Sequence, residues 1–235
     1  MTEAGALVSS GNNELSVENT DFVNCSSKTQ SGGLRKTSGS LMMKCCIFDE
    51  CHGEGGDNSS FGTAFGTSDC DVILEDITIF QCWKQTFPFD DDIYALIQGT
   101  ADVKGVNSTK CLSSWGNIMG YYCNVNTRTD IRFIQGVEGV EYGAFGIYLT
   151  DQTMSEANII NNTLTDKFLI ASSAKITVFN GCFFLNNRYN NAGTVYSFNC
   201  ISDLYPGATT NIPLTTIKFE VQKCRRSFKF SEREQ

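Results

Sequence analysis

Short apolar runs separated by polar turn residues recur along the whole chain, and none of them keeps a helical period of 3.6 for more than about two turns. The first clear run is Leu15-Ser-Val-Glu-Asn-Thr-Asp-Phe22-Val-Asn-Cys25. It matches Leu41-Met-Met-Lys-Cys-Cys-Ile-Phe48-Asp-Glu-Cys51 and Val72-Ile-Leu-Glu-Asp-Ile-Thr-Ile79-Phe-Gln-Cys82. The shared word is an apolar residue, then Phe or Ile seven positions on, then Cys three further. A weaker copy runs from Ile176 through Phe183 to Asn186, with Asn in place of the final Cys. Between the words lies a second apolar segment carrying small residues: Gly32-Gly33-Leu34, Phe61 to Phe65, Ile93 to Ile97, Asn117 to Tyr122, Ala144 to Leu149, Phe168 to Ala171 and Thr194 to Phe198.

Word starts at Leu15, Leu41, Val72, Val103, Ile131 and Ile159 are spaced by 26, 31, 31, 28 and 28 residues. Later starts at Ile176 and Ile217 fit the period less well. A repeat just under thirty residues long, built of two or three short strands, reads as one coil of a solenoid. An antiparallel sandwich would instead carry Asn-Gly or Asp-Gly hairpin turns at short intervals. The chain has one Asn-Gly, Asn180-Gly181, and no Asp-Gly. The expectation is an all-β fold, a single right-handed parallel β-helix of about eight coils and roughly 40 Å at strand spacing. Residues 1–224 form that domain and 225–235 a charged tail or cap. The predicted inward ladder contains Phe22, Cys25, Phe48, Cys51, Ile79, Cys82 and Phe183, because like residues stack on like in such a helix.

Phe22-Val-Asn-Cys25 followed by Gly32-Gly33-Leu34 resembles the right-handed parallel β-helix proteins found in large families in flagellate protists. It is also similar to the Gly-Gly-Ala-Ile and Phe-x-x-Asn repeats of bacterial polymorphic outer-membrane proteins. The resemblance covers roughly residues 5 to 224 and implies a pectin-lyase-like fold with a surface or adhesive role. The chain departs from the pattern in showing no export signal or anchor. Ala4-Gly5-Ala6-Leu7 also sits where the middle of a coil belongs, which predicts an uncapped first coil open to end-to-end association.

Composition narrows the function. Eighteen basic against 26 acidic residues give a net charge of −8, which lacks the positive field that phosphate backbones attract, so nucleic acid is excluded as a partner. No apolar run reaches the ~18 residues of a membrane-spanning helix. Without a basic n-region and an apolar h-region before Lys28, the chain reads as cytoplasmic, or as cell-surface if it is a fragment of a longer protein. Eleven cysteines, an odd number in a chain of 235 residues, argue against a complete disulfide framework and for thiols. The sequons at Asn24, Asn58, Asn107 and Asn161 are no more frequent than this Asn-, Ser- and Thr-rich composition supplies by chance.

Candidate chemistry is sparse. Cys45, Cys46, Cys51 and His52 form the one Cys/His cluster, but strand neighbours point to opposite faces and no Cys-x2-Cys pair is present. No metal and no cofactor is expected. Polygalacturonases array Asn-Thr-Asp, Asp-Asp, Gly-His-Gly and Arg-x-Lys on neighbouring coils. Here Asn19-Thr20-Asp21 and Asp90-Asp91-Asp92 lie more than two repeats apart, His52 follows Cys, and Arg128 and Arg132 have no ordered acidic set beside them. The chain is therefore expected not to be an enzyme; a degenerate lyase or hydrolase using Asp21, Asp91 and His52 is the alternative. The favoured expectation is a structural or binding scaffold that recognises protein or glycan through its lateral face and loops. The candidate binding loops carry Phe87, Phe89, Asp90, Asp91 and Asp92, and Asn186, Asn187, Tyr189 and Asn190. Trp83, Trp115, Tyr121, Tyr122, Tyr142 and Tyr148 are read as core and ladder packing rather than as a sugar platform. The basic tail from Lys218 to Arg233 reads as a charged cap.

Overall fold

A computed structural model describes residues 5–27, 31–53, 62–84 and 93–113 continuously, and after that the segments 119–122, 127–135, 138–139, 145–147, 152–155, 158–160, 162–164, 170–172, 177–180, 182–185, 187, 196–198, 201–202 and 209–211. Within these residues the protein is all-β, with strands in two sheets of nineteen and six strands and no helix. Every strand pairing described is parallel. Partners lie about one sequence repeat apart, because a parallel neighbour can be reached only after the intervening chain has travelled around and returned.

Alternation within each strand decides which side chains enter the core. In Leu34–Lys44, Leu41 and Met43 are buried and Lys44 is exposed; in Phe65–Phe80, Val72 and Leu74 are buried on either side of exposed Ile73. Register then stacks like on like. Leu15 pairs with Leu41 and Leu41 with Val72. Phe22 pairs with Phe48, Phe48 with Ile79, and the column continues through Ser108, Ile134, Ile159 and Phe184. A second column from the small-residue segments runs Leu7, Leu34, Phe65, Tyr94, Met119, Phe145, Ile170. On the outer face Glu18, Lys44, Glu75 and Lys104 alternate in sign, and Lys44 Nζ lies 3.3 Å from Glu75, which raises the lysine pKa through that hydrogen bond and charge.

From the fourth repeat the register departs from the spacing of the words. Val72 aligns with Ala101, so Val103 sits two positions further on, beside Leu74. Ile131 aligns with Val106, Ile159 with Ile134, and Phe184 rather than Phe183 takes the ladder position opposite Ile159. The pairing with Thr127–Gln135 also shifts on both sides of Val106, next to Gly105 at φ 67°, and the two shifts cancel: Lys104 pairs with Asp130 and Asn107 with Phe133. Such an irregularity re-aims the side chains within it and leaves the register on either side in place.

Gly32 and Gly33 of the Gly-Gly-Leu segment are required by close approach. A Cβ on Gly32 would lie 2.5 Å from the His52 carbonyl oxygen and 2.6 Å from that of Cys25. One on Gly33 would lie 2.6 Å from the Ala64 carbonyl oxygen and 2.7 Å from the Phe48 ring.

Between strands the chain turns through left-handed residues that recur once per repeat. One corner holds Gly11, Ser38-Gly39, Asp69 and Gln98-Gly99; the next holds Asn19, Cys45, Asp76 and Gly105; the third holds Asn24, Glu50, Gln81 and Lys110. At the third corner the Asn24, Glu50 and Gln81 N–H groups donate to the Asp49, Phe80 and Thr109 carbonyls at 2.8, 3.0 and 3.0 Å. Gln81 at φ 50° is therefore a direct test of the corner. Gln81→Val is expected to cost about 1–2 kcal/mol in urea unfolding, since a β-branched residue is strained there, while Gln81→Gly should fall within about 0.5 kcal/mol of the parent.

Candidate functional site

The third corner and the six-stranded sheet meet in an open groove of about 480 Å³ lined by Asn24, Glu50, His52, Gln81, Trp83, Lys110 and Leu112. Its two walls are two columns of the repeat. The residues just before Cys25, Cys51, Cys82 and Cys111 are Asn24, Glu50, Gln81 and Lys110, all left-handed. The residues just after those cysteines are Ser26, His52, Trp83 and Leu112, which pair in that order. Each cysteine points inward, so its two neighbours are turned outward along the groove.

The His52 and Trp83 rings stack with centroids 5.1 Å apart and planes 11° from parallel. Leu112 lies beyond Trp83 and is 40% exposed. The aromatic faces are thus largely turned toward one another, and the groove receives their edges. His52 Nδ1 lies 3.3 Å from the Glu50 carbonyl oxygen. A carbonyl only accepts, so in this contact Nδ1 is the donor. Lys110 Nζ stands 5.4 Å from the Phe80 ring centroid, which holds the cation at the far end of the wall. The lining contains one carboxylate, Glu50, and one lysine, Lys110.

Beneath the groove, Cys25, Cys51, Cys82 and Cys111 form a column of thiols, the last three buried. Cys51 Sγ donates to Phe22 O at 3.3 Å, Cys82 Sγ to Phe48 O at 3.5 Å and Cys111 Sγ to Ile79 O at 3.8 Å. Each thiol thereby ties its own repeat to the one before. Burial, reinforced by its Cys111 and Cys51 neighbours, pushes the Cys82 thiol far above the ordinary range, and a hydrogen bond from Cys82 lowers that of Cys51. In later repeats Asn162 and Asn187 occupy the same place, three residues after Ile159 and Phe184. Asn162 is fully buried; its N–H and Nδ2 donate to Asn187 Oδ1 at 3.1 and 2.7 Å, and Asn187 Nδ2 donates to Ile159 O at 2.8 Å. Asn187, expected in a binding loop, is half-buried and engaged in this stitch.

Phe87, Phe89, Asp90, Asp91, Asp92, Asn186, Tyr189 and Asn190 lie outside the described residues, as do Trp115, Tyr142 and Tyr148. Asn19 is a corner residue and Thr20 Oγ1 donates to Glu18 O at 2.9 Å, so Asn19-Thr20 is a turn leading into the strand Asp21–Val23; exposed Asp21 stands on the large sheet and His52 on the small one. Cys46 is buried with Sγ donating to Val17 O at 3.3 Å, and Cys45 is a half-buried corner residue. Among the described residues no group of three His, Cys, Asp or Glu is placed to hold a metal, and no helix is long and apolar enough to cross a membrane. The groove was missed because it is carried by the flanks of the repeated cysteine, where residue type varies and only position recurs. No protein-family model, curated protein or solved structure matches the chain.

Proposed function

We propose that the chain is a right-handed parallel β-helix that serves as a non-enzymatic recognition scaffold of the surface or adhesive type, and that the corner groove binds a glycan chain. The observation that carries this reading is the groove itself, a polar wall of Asn24, Glu50, Gln81 and Lys110 facing the ring edges of His52 and Trp83. Hydroxyl-rich polymers need donors and acceptors side by side, and amides and a carboxylate supply both. An extended peptide would look for an unpaired strand edge or apolar pockets. His52 and Trp83 are each paired on both sides, and Leu112 is the one aliphatic side chain in the lining. Glycoside cleavage normally uses two carboxylates flanking one bond, whereas this groove presents Glu50 alone.

A glycan array probed with the full chain, followed by titration of the best oligosaccharide, tests the proposal. Binding should weaken at least about tenfold in Gln81→Ala and Trp83→Ala, a loss of roughly 1.4 kcal/mol. Binding insensitive to both substitutions, or an empty array from folded protein, would reject the groove as the site. Release of reducing or unsaturated ends from a bound polysaccharide would favour the enzymatic alternative instead.

A further inference from the structure

The thiol column is not used by the groove, and one of its members differs from the rest. Cys25 is partly exposed, whereas Cys51, Cys82 and Cys111 are buried. Cys25 and Cys51 are in register: Val23 pairs with Asp49 and Ser26 with His52 on either side, and the His52 N–H donates to Cys25 O at 2.9 Å. Their Cα atoms are therefore one strand spacing apart, about 4.8 Å, inside the ~4.4–6.8 Å window of a disulfide. Cys51 Sγ reaches back toward the repeat that carries Cys25, to Phe22 O at 3.3 Å, while Cys25 Sγ donates within its own repeat to Val23 O at 3.6 Å.

The geometry points to Cys25 as a peroxide-modified thiol and to Cys51 as the partner that resolves it into a disulfide. The Cys25 thiol loses its proton to solvent, and the thiolate attacks one oxygen of hydrogen peroxide. The O–O bond breaks, hydroxide leaves and Cys25 becomes a sulfenic acid. The Cys51 thiolate then attacks that sulfur; the S–S bond forms, the S–O bond breaks and a second hydroxide leaves. Two thiols and one peroxide give one disulfide and two waters, with two electrons passing from sulfur to oxygen. Burial and the adjacent Cys51 raise the Cys25 pKa, so the first step is the slow one and accelerates as pH rises. The product would cross-link the first two cysteine words at the floor of the groove.

The experiment is peroxide titration of the reduced full chain, then alkylation under denaturing conditions and sequencing of cross-linked peptides by mass spectrometry. The expected result is a species lighter by two hydrogens, joined between Cys25 and Cys51, formed faster at higher pH and reversed by dithiothreitol. Cys25→Ser should abolish it, and Cys51→Ser should leave Cys25 as a sulfenic acid trapped by dimedone. Cys25 left unmodified, Cys25 driven to sulfinic acid in the parent without a cross-link, or another cysteine pair joining first would overturn the inference. Glycan binding by the reduced protein is read separately, so either proposal can fail alone.

Discussion

Phe48→Ala is expected to lower the unfolding free energy by about 3–5 kcal/mol, the largest effect of any single core truncation in the described residues. Phe48 has no exposed surface, and its ring meets one ring of its own column and one of the neighbouring column. It stacks on Phe22 at a centroid distance of 4.7 Å and 4° between planes, and meets Phe65 at 5.0 Å and 33°. Gly33 closes the remaining side, since its missing Cβ would lie 2.7 Å from the ring. Truncation thus removes two aromatic contacts and leaves a cavity between hydrogen-bonded strands, which limit how far the walls can close in. Phe22→Ala should cost less, because Phe22 is 7% exposed and has a described ring neighbour on one side. Urea unfolding of the two variants decides the matter. A loss below about 1 kcal/mol for Phe48→Ala would mean that the column is not a packed core.

The Phe48 column was legible in the sequence because identical spacing and identical chemistry recur together in the first three words. Phe22, Phe48 and Ile79 are each followed by Cys at the same distance, and equal intervals on equal residues translate directly into register. Legibility fails where one of those two signals is lost. After Val72 the apolar residues no longer recur at the interval of the strand register, so spacing alone put Val103 where Ala101 stands and Phe183 where Phe184 stands. The corners were illegible for a different reason. Left-handed positions are commonly marked by Gly or Asn, yet here Ser38, Cys45, Glu50, Asp69, Gln81 and Lys110 adopt them under the constraint of the sheets on either side. The groove inherits that obscurity, since Glu50, Gln81 and Lys110, three of its seven lining residues, are among those corner residues. The Asn162–Asn187 stitch shows the same limit: Asn for Cys is visible in the sequence, but which Asn depends on the shifted register.

Lys36 is a charged residue at an inward strand position, and Lys36→Met is expected to cost roughly 3 kcal/mol. Alternation from Leu34 places Lys36 on the inward face of Leu34–Lys44, and it is fully buried there. A buried ammonium is tolerable only when its protons are all matched. They are: Nζ donates to Gly11 O and Asn13 Oδ1 at 2.8 Å each and to Ser38 O at 2.5 Å. Gly11 and Ser38 are left-handed corner residues of successive repeats, so a single cation ties together two turns through their carbonyls. Methionine keeps most of the side-chain volume but donates nothing, leaving those acceptors desolvated and unmatched. The loss should therefore be local as well as global. Amide exchange should rise around residues 9–13 and 37–40 more than in Phe65–Phe80, and the urea midpoint should fall. Lys36→Arg should not restore the parent, since a planar guanidinium cannot place three donors around a site shaped for a tetrahedral ammonium. A Lys36→Met protein as stable as the parent would show that stem packing, which both side chains share, holds the corner rather than the charge.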